Sequence, residues 1–180
     1  LPVTTYREQR RGGQGVMGMD LKEDDYIEHL FVASTHDYVL FFTNVGKVYR
    51  LKVHELPLGS RQSKGRAIQN LLPFRQDEQV RAVIQTRDFE ESKFLVFATK
   101  NGIVKKTKMQ EYDSPLARNG LIALNLQQGD ELVRVIQTSG ENDIFLVSRG
   151  GMTIRFSEGD VRAMGRATAG VRGMKLKNGD

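Results

Sequence analysis

The stretch Ala98-Thr99-Lys100-Asn101-Gly102-Ile103-Val104 decides the architecture, because the chain writes it three times. Phe42-Thr43-Asn44-Val45-Gly46-Lys47-Val48 precedes it and Ser148-Arg149-Gly150-Gly151-Met152-Thr153-Ile154 follows it, with the key glycines 56 and 49 residues apart. Each copy sets a glycine-bearing polar step between short apolar runs. That is a tight hairpin turn, which needs the positive φ that glycine and asparagine tolerate. The neighbouring runs Tyr38–Phe42, Phe94–Phe97 and Ile144–Val147, together with Leu30-Phe31-Val32-Ala33-Ser34, are aromatic and β-branched and bounded by polar turns. All four are expected to be strands.

Two further markers share the period. Gly15, Gly65, Gly120 and Gly170 each open a short apolar stretch, at intervals of 50, 55 and 50 residues. Val83-Ile84-Gln85-Thr86 returns 52 residues later as Val135-Ile136-Gln137-Thr138. Three independent markers near one period define an internal repeat, and a repeat dictates the fold. Each period has room for about four strands, the size of a propeller blade that buries its faces against its neighbours. The sequence therefore predicts an all-β, propeller-like or pinwheel array: one repeat domain over residues 1–180 with almost no helix. Residues 1–14 form an entry segment, blades occupy about 15–64, 65–119 and 120–169, and a fourth begins at 170–180. Propeller rings generally have at least about four blades, so the chain reads as part of a longer array.

Composition narrows the function classes. Among 180 residues, 27 Lys and Arg face 22 Asp and Glu, a formal charge of +5 that points toward a polyanionic partner. The absence of cysteine excludes a disulfide framework and any cysteine nucleophile or metal site. There is no apolar run of the ~18 residues a transmembrane helix needs and no signal-peptide pattern at the start, so a cytoplasmic protein with no membrane partner is expected. His29, His36 and His54 lack metal-ligand spacing, Asp24-Asp25 has no companion cluster, and no P-loop is present. No catalytic residue and no metal site is expected.

The segment Gln9-Arg10-Arg11-Gly12-Gly13-Gln14-Gly15 carries the functional signal. Two adjacent guanidiniums beside glycines let backbone N–H groups and arginine forks approach a phosphate run together. Two other readings fail. Gly13-Gln14-Gly15-Val16-Met17-Gly18 matches the dinucleotide pattern G-x-G-x-x-G but lacks the strand before and the helix after that the pattern requires. Arg11-Gly12-Gly13 is a single RGG, whereas RNA-binding RGG segments come in arrays.

The same seven residues resemble the gyrase A box, Gln-Arg-Arg-Gly-Gly-(Lys/Arg)-Gly, found in the C-terminal domain of DNA gyrase A, and the repeat period resembles that domain across the chain. The sixth position departs from the family: Gln14 stands where a basic residue is usual, which weakens phosphate contact at one point and leaves Arg10 and Arg11. The resemblance implies a six-bladed β-pinwheel that wraps duplex DNA around its basic rim, of which this chain would cover about half. It also implies a non-catalytic domain of an ATP-dependent type II topoisomerase that makes negative supercoils. The partners would be the rest of gyrase A, together with gyrase B, in an A2B2 assembly. No cofactor belongs to this domain, and ATP and Mg²⁺ are expected elsewhere in the assembled enzyme. The equivalent domain of topoisomerase IV and a protein-binding propeller scaffold are the alternatives.

Degenerate copies of the box precede the later marker glycines: Gly59–Gly65 with Arg61 and Lys64, Ser114–Gly120 with Arg118, and Met164–Gly170 with Arg166. Further basic residues follow the hairpin glycines as Lys47 and Arg50, Lys105 and Lys106, and Arg155. With Gln9 to Gly15, these form the expected DNA-binding set.

Overall fold

The computed structural model describes residues 1–90 and 93–177. Residues 91 and 92, and residues 178–180 of the expected fourth unit, lie outside the described residues. Ten strands form: β1 (Tyr38–Thr43), β2 (Lys47–Lys52), β3 (Val80–Thr86), β4 (Phe94–Thr99), β5 (Ile103–Lys108), β6 (Leu121–Ile122), β7 (Leu132–Thr138), β8 (Asp143–Val147), β9 (Thr153–Ser157) and β10 (Val171–Arg172). The helical pieces are single 3₁₀ turns of three to five residues.

Every pairing between these ten strands is antiparallel, and the repeat fixes the pattern. Each of the three glycine turns joins a hairpin: β1–β2, β4–β5 and β8–β9. The outer strands come from later periods. The first sheet runs β3-β1-β2-β6 and the second β10-β5-β4-β7. The two sheets match down to a register shift, at Phe42/Thr43 against β3 and at Ala98/Thr99 against β7. Each complete sheet thus interlocks strands from three successive periods, so neighbouring blades cannot separate without breaking backbone hydrogen bonds.

The first two hairpin glycines are held for two reasons. Gly46 and Gly102 adopt φ of +77° and +79°. A Cβ at Gly46 would lie 2.8 Å from the Leu124 carbonyl oxygen, and one at Gly102 would lie 2.6 Å from that of Met174. The Gly46 carbonyl accepts from Ala123 N–H (2.8 Å), and the Gly102 carbonyl from Gly173 N–H (2.9 Å). The segment after a marker glycine thereby seals the hairpin tip of an earlier period.

β1 is apolar on both faces. Leu40 and Phe42 pack with Leu95, Phe97, Met109, Tyr112, Leu132 and Val135 between the two four-stranded sheets. Val39 and Phe41 join Tyr49, Leu51 and Leu72 on the other side. Phe42 meets Phe97 edge-on at 5.5 Å and Tyr112 at 5.9 Å, the geometry the aromatic quadrupole favours.

Two strand expectations are corrected. Residues 30–34 form no strand, and Leu30, Phe31 and Val32 are exposed. Their periodic counterparts in β3 and β7 pair with the first strand of the preceding hairpin, and no described hairpin precedes residue 30. Among the described residues the third sheet holds only its hairpin, rather than four strands, because outer strands arise from later periods.

Candidate nucleic-acid interface

The box is a closed loop on the surface. Gly13 N–H donates to the Arg10 carbonyl (3.0 Å), forming a turn whose third residue, Gly12, has φ +87°. The Gln9 side chain spans the mouth: Gly15 N–H donates to Gln9 Oε1 (3.0 Å), and Gln9 Nε2 donates to the Gly15 carbonyl (3.4 Å). Beneath this rung, the Tyr6 hydroxyl donates to the Gly18 carbonyl (2.9 Å). Residues 1–17 are exposed, and among the described residues neither Arg10 nor Arg11 has a protein acceptor. Their charges therefore face solvent without an ion-paired carboxylate among the described residues. Arg7, Glu8, Arg10 and Gln14 line the concave side of the loop, so Arg7 adds a cation there, beside the carboxylate of Glu8, although its position just before the box gave no motif.

The second copy is tied to the first. Asp20 N–H donates to the Arg61 carbonyl (2.7 Å), and Arg61 Nη1 reaches the Met17 carbonyl (3.5 Å). Arg61 and Lys64 are exposed, as is Arg66, which sequence reasoning passed over. The signal for Arg66 was its place directly after the marker glycine, beside Lys64. Among the described residues, Lys64 and Arg66 have no acidic partner.

The remaining expected contacts divide by how far their charge is committed. Arg118 pairs with Glu55 (2.5 Å), and Arg155 pairs with Asp143 (2.7 Å from Nε). Both guanidiniums stay mostly in solvent. Exposed pairs are worth only about 0–1 kcal/mol, so phosphate can displace them. Arg50 is committed: its side chain is 13% exposed, bonded to Asp113 (2.7 Å) and stacked 4.8 Å over the Tyr38 ring. Lys47 lies 3.8 Å from buried Glu78, and half-buried Arg166 donates to the Ile122 carbonyl (2.5 Å).

Lys105 and Lys106 are removed from the expected interface, since they are 0% and 7% exposed. Lys105 Nζ donates to the carbonyls of Ala123 (2.6 Å) and Arg166, and Lys106 Nζ to that of Glu158 (2.7 Å). The physical reason is their strand. β5 is paired on one edge by β4 and on the other by β10, and the Lys106 backbone is further tied to Ala163 and Met164. Burial, followed by the nearby Arg166 charge, pulls the Lys105 ammonium down to about 7, while Glu111 acts in the opposite direction.

Among the described residues, no group of three or more His, Cys, Asp or Glu could hold a metal ion, and no helix is long and apolar enough to cross a membrane.

Comparison with known proteins follows the same lines. The model of the DNA gyrase C-terminal domain, a β-propeller, matches residues 1–34, 37–87, 93–139 and 142–180. DNA gyrase A of Mycolicibacterium smegmatis is 50% identical over 177 residues, and that of Haemophilus influenzae is 49% identical over 175. These matches cover 97% of this chain but only 21% and 20% of those relatives. Among solved structures, a DNA gyrase A C-terminal domain superposes with a TM-score of 0.74 at 26% identity, covering 99% of this chain and 57% of that one. The C-terminal domain of a DNA topoisomerase IV gives 0.76 at 39% identity, covering 81% of this chain and 45% of that one. The family model spans nearly the whole chain and the gyrase relatives share half of its residues, so the chain belongs to the family of DNA gyrase A C-terminal domains.

Proposed function

We propose that this chain binds and wraps duplex DNA for a type II topoisomerase, and that the wrapped duplex is presented to a strand-passage gate carried by other parts of the enzyme. The observation that carries the reading is the box loop, a clamped turn that holds two adjacent arginines in solvent, neither ion-paired to an acid among the described residues. Arg61, Lys64 and Arg66 continue the track from a loop hydrogen-bonded to the segment leaving the box. Arg118 and Arg155 extend it once phosphate replaces half-buried Glu55 and exposed Asp143. Contacts of this kind read the backbone and carry little sequence information. Bending 20–30 bp costs on the order of 1–6 kcal/mol, which phosphate neutralisation along the track must offset.

In the assembled enzyme, gyrase B and the remainder of gyrase A would complete an A2B2 complex, with ATP and Mg²⁺ bound outside this domain. The near-intact box, with gyrase A relatives at 49–50% identity, favours gyrase over topoisomerase IV. The test is replacement of Arg10 and Arg11 by alanine in the assembled enzyme. Negative supercoiling should be lost while ATP-dependent relaxation survives, because cleavage and ATPase chemistry lie elsewhere. Normal supercoiling by that variant would reject the reading.

A further inference from the structure

We propose that Gln9 is the positioning residue of the box: its carboxamide holds the loop in a DNA-competent shape before DNA arrives, without itself contacting phosphate. This rests on the reading of Arg10 and Arg11 as phosphate contacts. The Gln9 carboxamide offers an acceptor to Gly15 N–H at 3.0 Å and a donor to the Gly15 carbonyl at 3.4 Å, so one side chain satisfies both backbone groups of one residue. A hydroxyl or carboxylate at this position could not serve both groups with the same reach, and a carboxylate would set negative charge beside the two arginines.

The rest of the loop is shaped around this amide. A Cβ on Gly13 would fall 2.6 Å from Gln9 Oε1 and 3.2 Å from the Arg10 carbonyl oxygen, so residue 13 must lack a side chain for the amide to lie where it does. Gly15 meets the amide at φ +75°, a conformation glycine adopts without strain. Gly12 and Gly15 have nothing within 4 Å of a built Cβ. Their glycines answer to backbone conformation, whereas Gly13 answers to the clamp. No residue from Gln9 to Gly15 is buried, so apolar packing cannot order the loop. Without the clamp, the span from Arg10 to Gln14 keeps only its internal turn, and the entropy of ordering it would be charged to DNA binding.

The test is duplex DNA binding by the 180-residue chain across a salt series, comparing wild type with Gln9→Met, Gly13→Ala, the double variant, and Arg10→Ala/Arg11→Ala. Methionine keeps the length of Gln9 and removes both hydrogen bonds. An ordering cost involves no counterions. Gln9→Met should therefore give a line parallel to wild type on the log–log plot, displaced about five- to thirtyfold toward weaker binding. Arg10→Ala/Arg11→Ala should instead give a shallower line, its slope reduced by about 1.8 for two lost phosphate contacts. Gly13→Ala should weaken binding comparably, and Gln9→Met/Gly13→Ala should be no weaker than the worse single variant, since both act through one contact. Thermal midpoints should match wild type throughout, because no buried side chain is altered. Gln9→Met superimposed on wild type, with the double-arginine variant still weakened, would overturn the clamp and leave the box reading intact. A double-arginine variant indistinguishable from wild type would overturn the box reading, and this inference with it.

Discussion

Lys105 shows how far a residue's role depends on what covers it. It occupies in β5 the place that Tyr49 occupies in β2. Both carry a polar tip into the interior: the Tyr49 hydroxyl donates to Glu78 (2.6 Å) and the Lys105 amine to two carbonyls. The marker glycines lie directly over these positions. A Cβ on Gly120 would sit 2.8 Å from the Tyr49 ring, and one on Gly170 would sit 3.0 Å from Lys105 Cβ. A run reading Lys105-Lys106 suggests a basic surface, and only the strand swap reveals that β10 and residues 163–166 close over it. The alignment of Lys105 with Tyr49 was in the sequence, but which face of β2 was buried was not. One consequence is a pH dependence. With the Lys105 ammonium held near 7 when folded and near 10.4 when unfolded, the unfolded chain binds more protons in between, so stability rises with pH across that window. The slope from this one group is at most about 1.4 kcal/mol per pH unit. Near pH 10 the trend reverses, because burial keeps Tyr49 and Tyr112 neutral in the folded chain while unfolded tyrosines ionise. Denaturant melts from pH 6 to 9.5 should show the rise, and Lys105→Met should flatten it. An unchanged slope in that variant would assign the rise to other groups.

At the scale of the element, the hairpin was the most legible feature. The three glycine turns and their flanking runs all form paired strands, because positive φ and short aromatic and β-branched runs bounded by polar turns are written locally. The partner of each hairpin was not legible, since β6 and β10 are two-residue strands whose pairing is set by the period rather than by any local pattern. The same distinction orders the effect of alanine at the turns. Gly151 has φ +80° but nothing within 4 Å of a built Cβ, whereas Gly46 and Gly102 meet backbone oxygens. Gly151→Ala should cost about 1–2 kcal/mol from conformation alone. Gly46→Ala and Gly102→Ala should cost more, because the covering segment must also move. Equal losses for the three in chemical denaturation would show that the covering contacts carry no weight. The hairpins should also differ in backbone protection. β1 and β4 lie inside four-stranded sheets, while β8–β9 stands as a pair with Phe145 and Val147 exposed. Amide hydrogen exchange should therefore be fastest in β8 and β9, following the rule that poorly buried units open first. Protection there equal to that of β1 would contradict this ranking.

For the whole molecule, the period of about fifty residues announced a blade array, and the strand swap turns that array into an interlocked one. The charge that matters is what the swap leaves outside. Lys105 and Lys106 are taken in and Arg50 is held by Asp113, while Arg10, Arg11, Lys64 and Arg66 remain in solvent with no acidic partner among the described residues. The box was legible because its residue types are rare in combination. The clamp that shapes it was not, since Gln9 looks like any exposed glutamine until the loop closes on it. The central claim is that this surface tracks the DNA backbone, and the most direct measurement is the affinity of the 180-residue chain for two unrelated duplexes of equal length across a salt series. Both duplexes should give the same line, falling with a log–log slope of about −3.6 or steeper for at least four neutralised phosphates. A flat line, or binding confined to one of the two sequences, would contradict it.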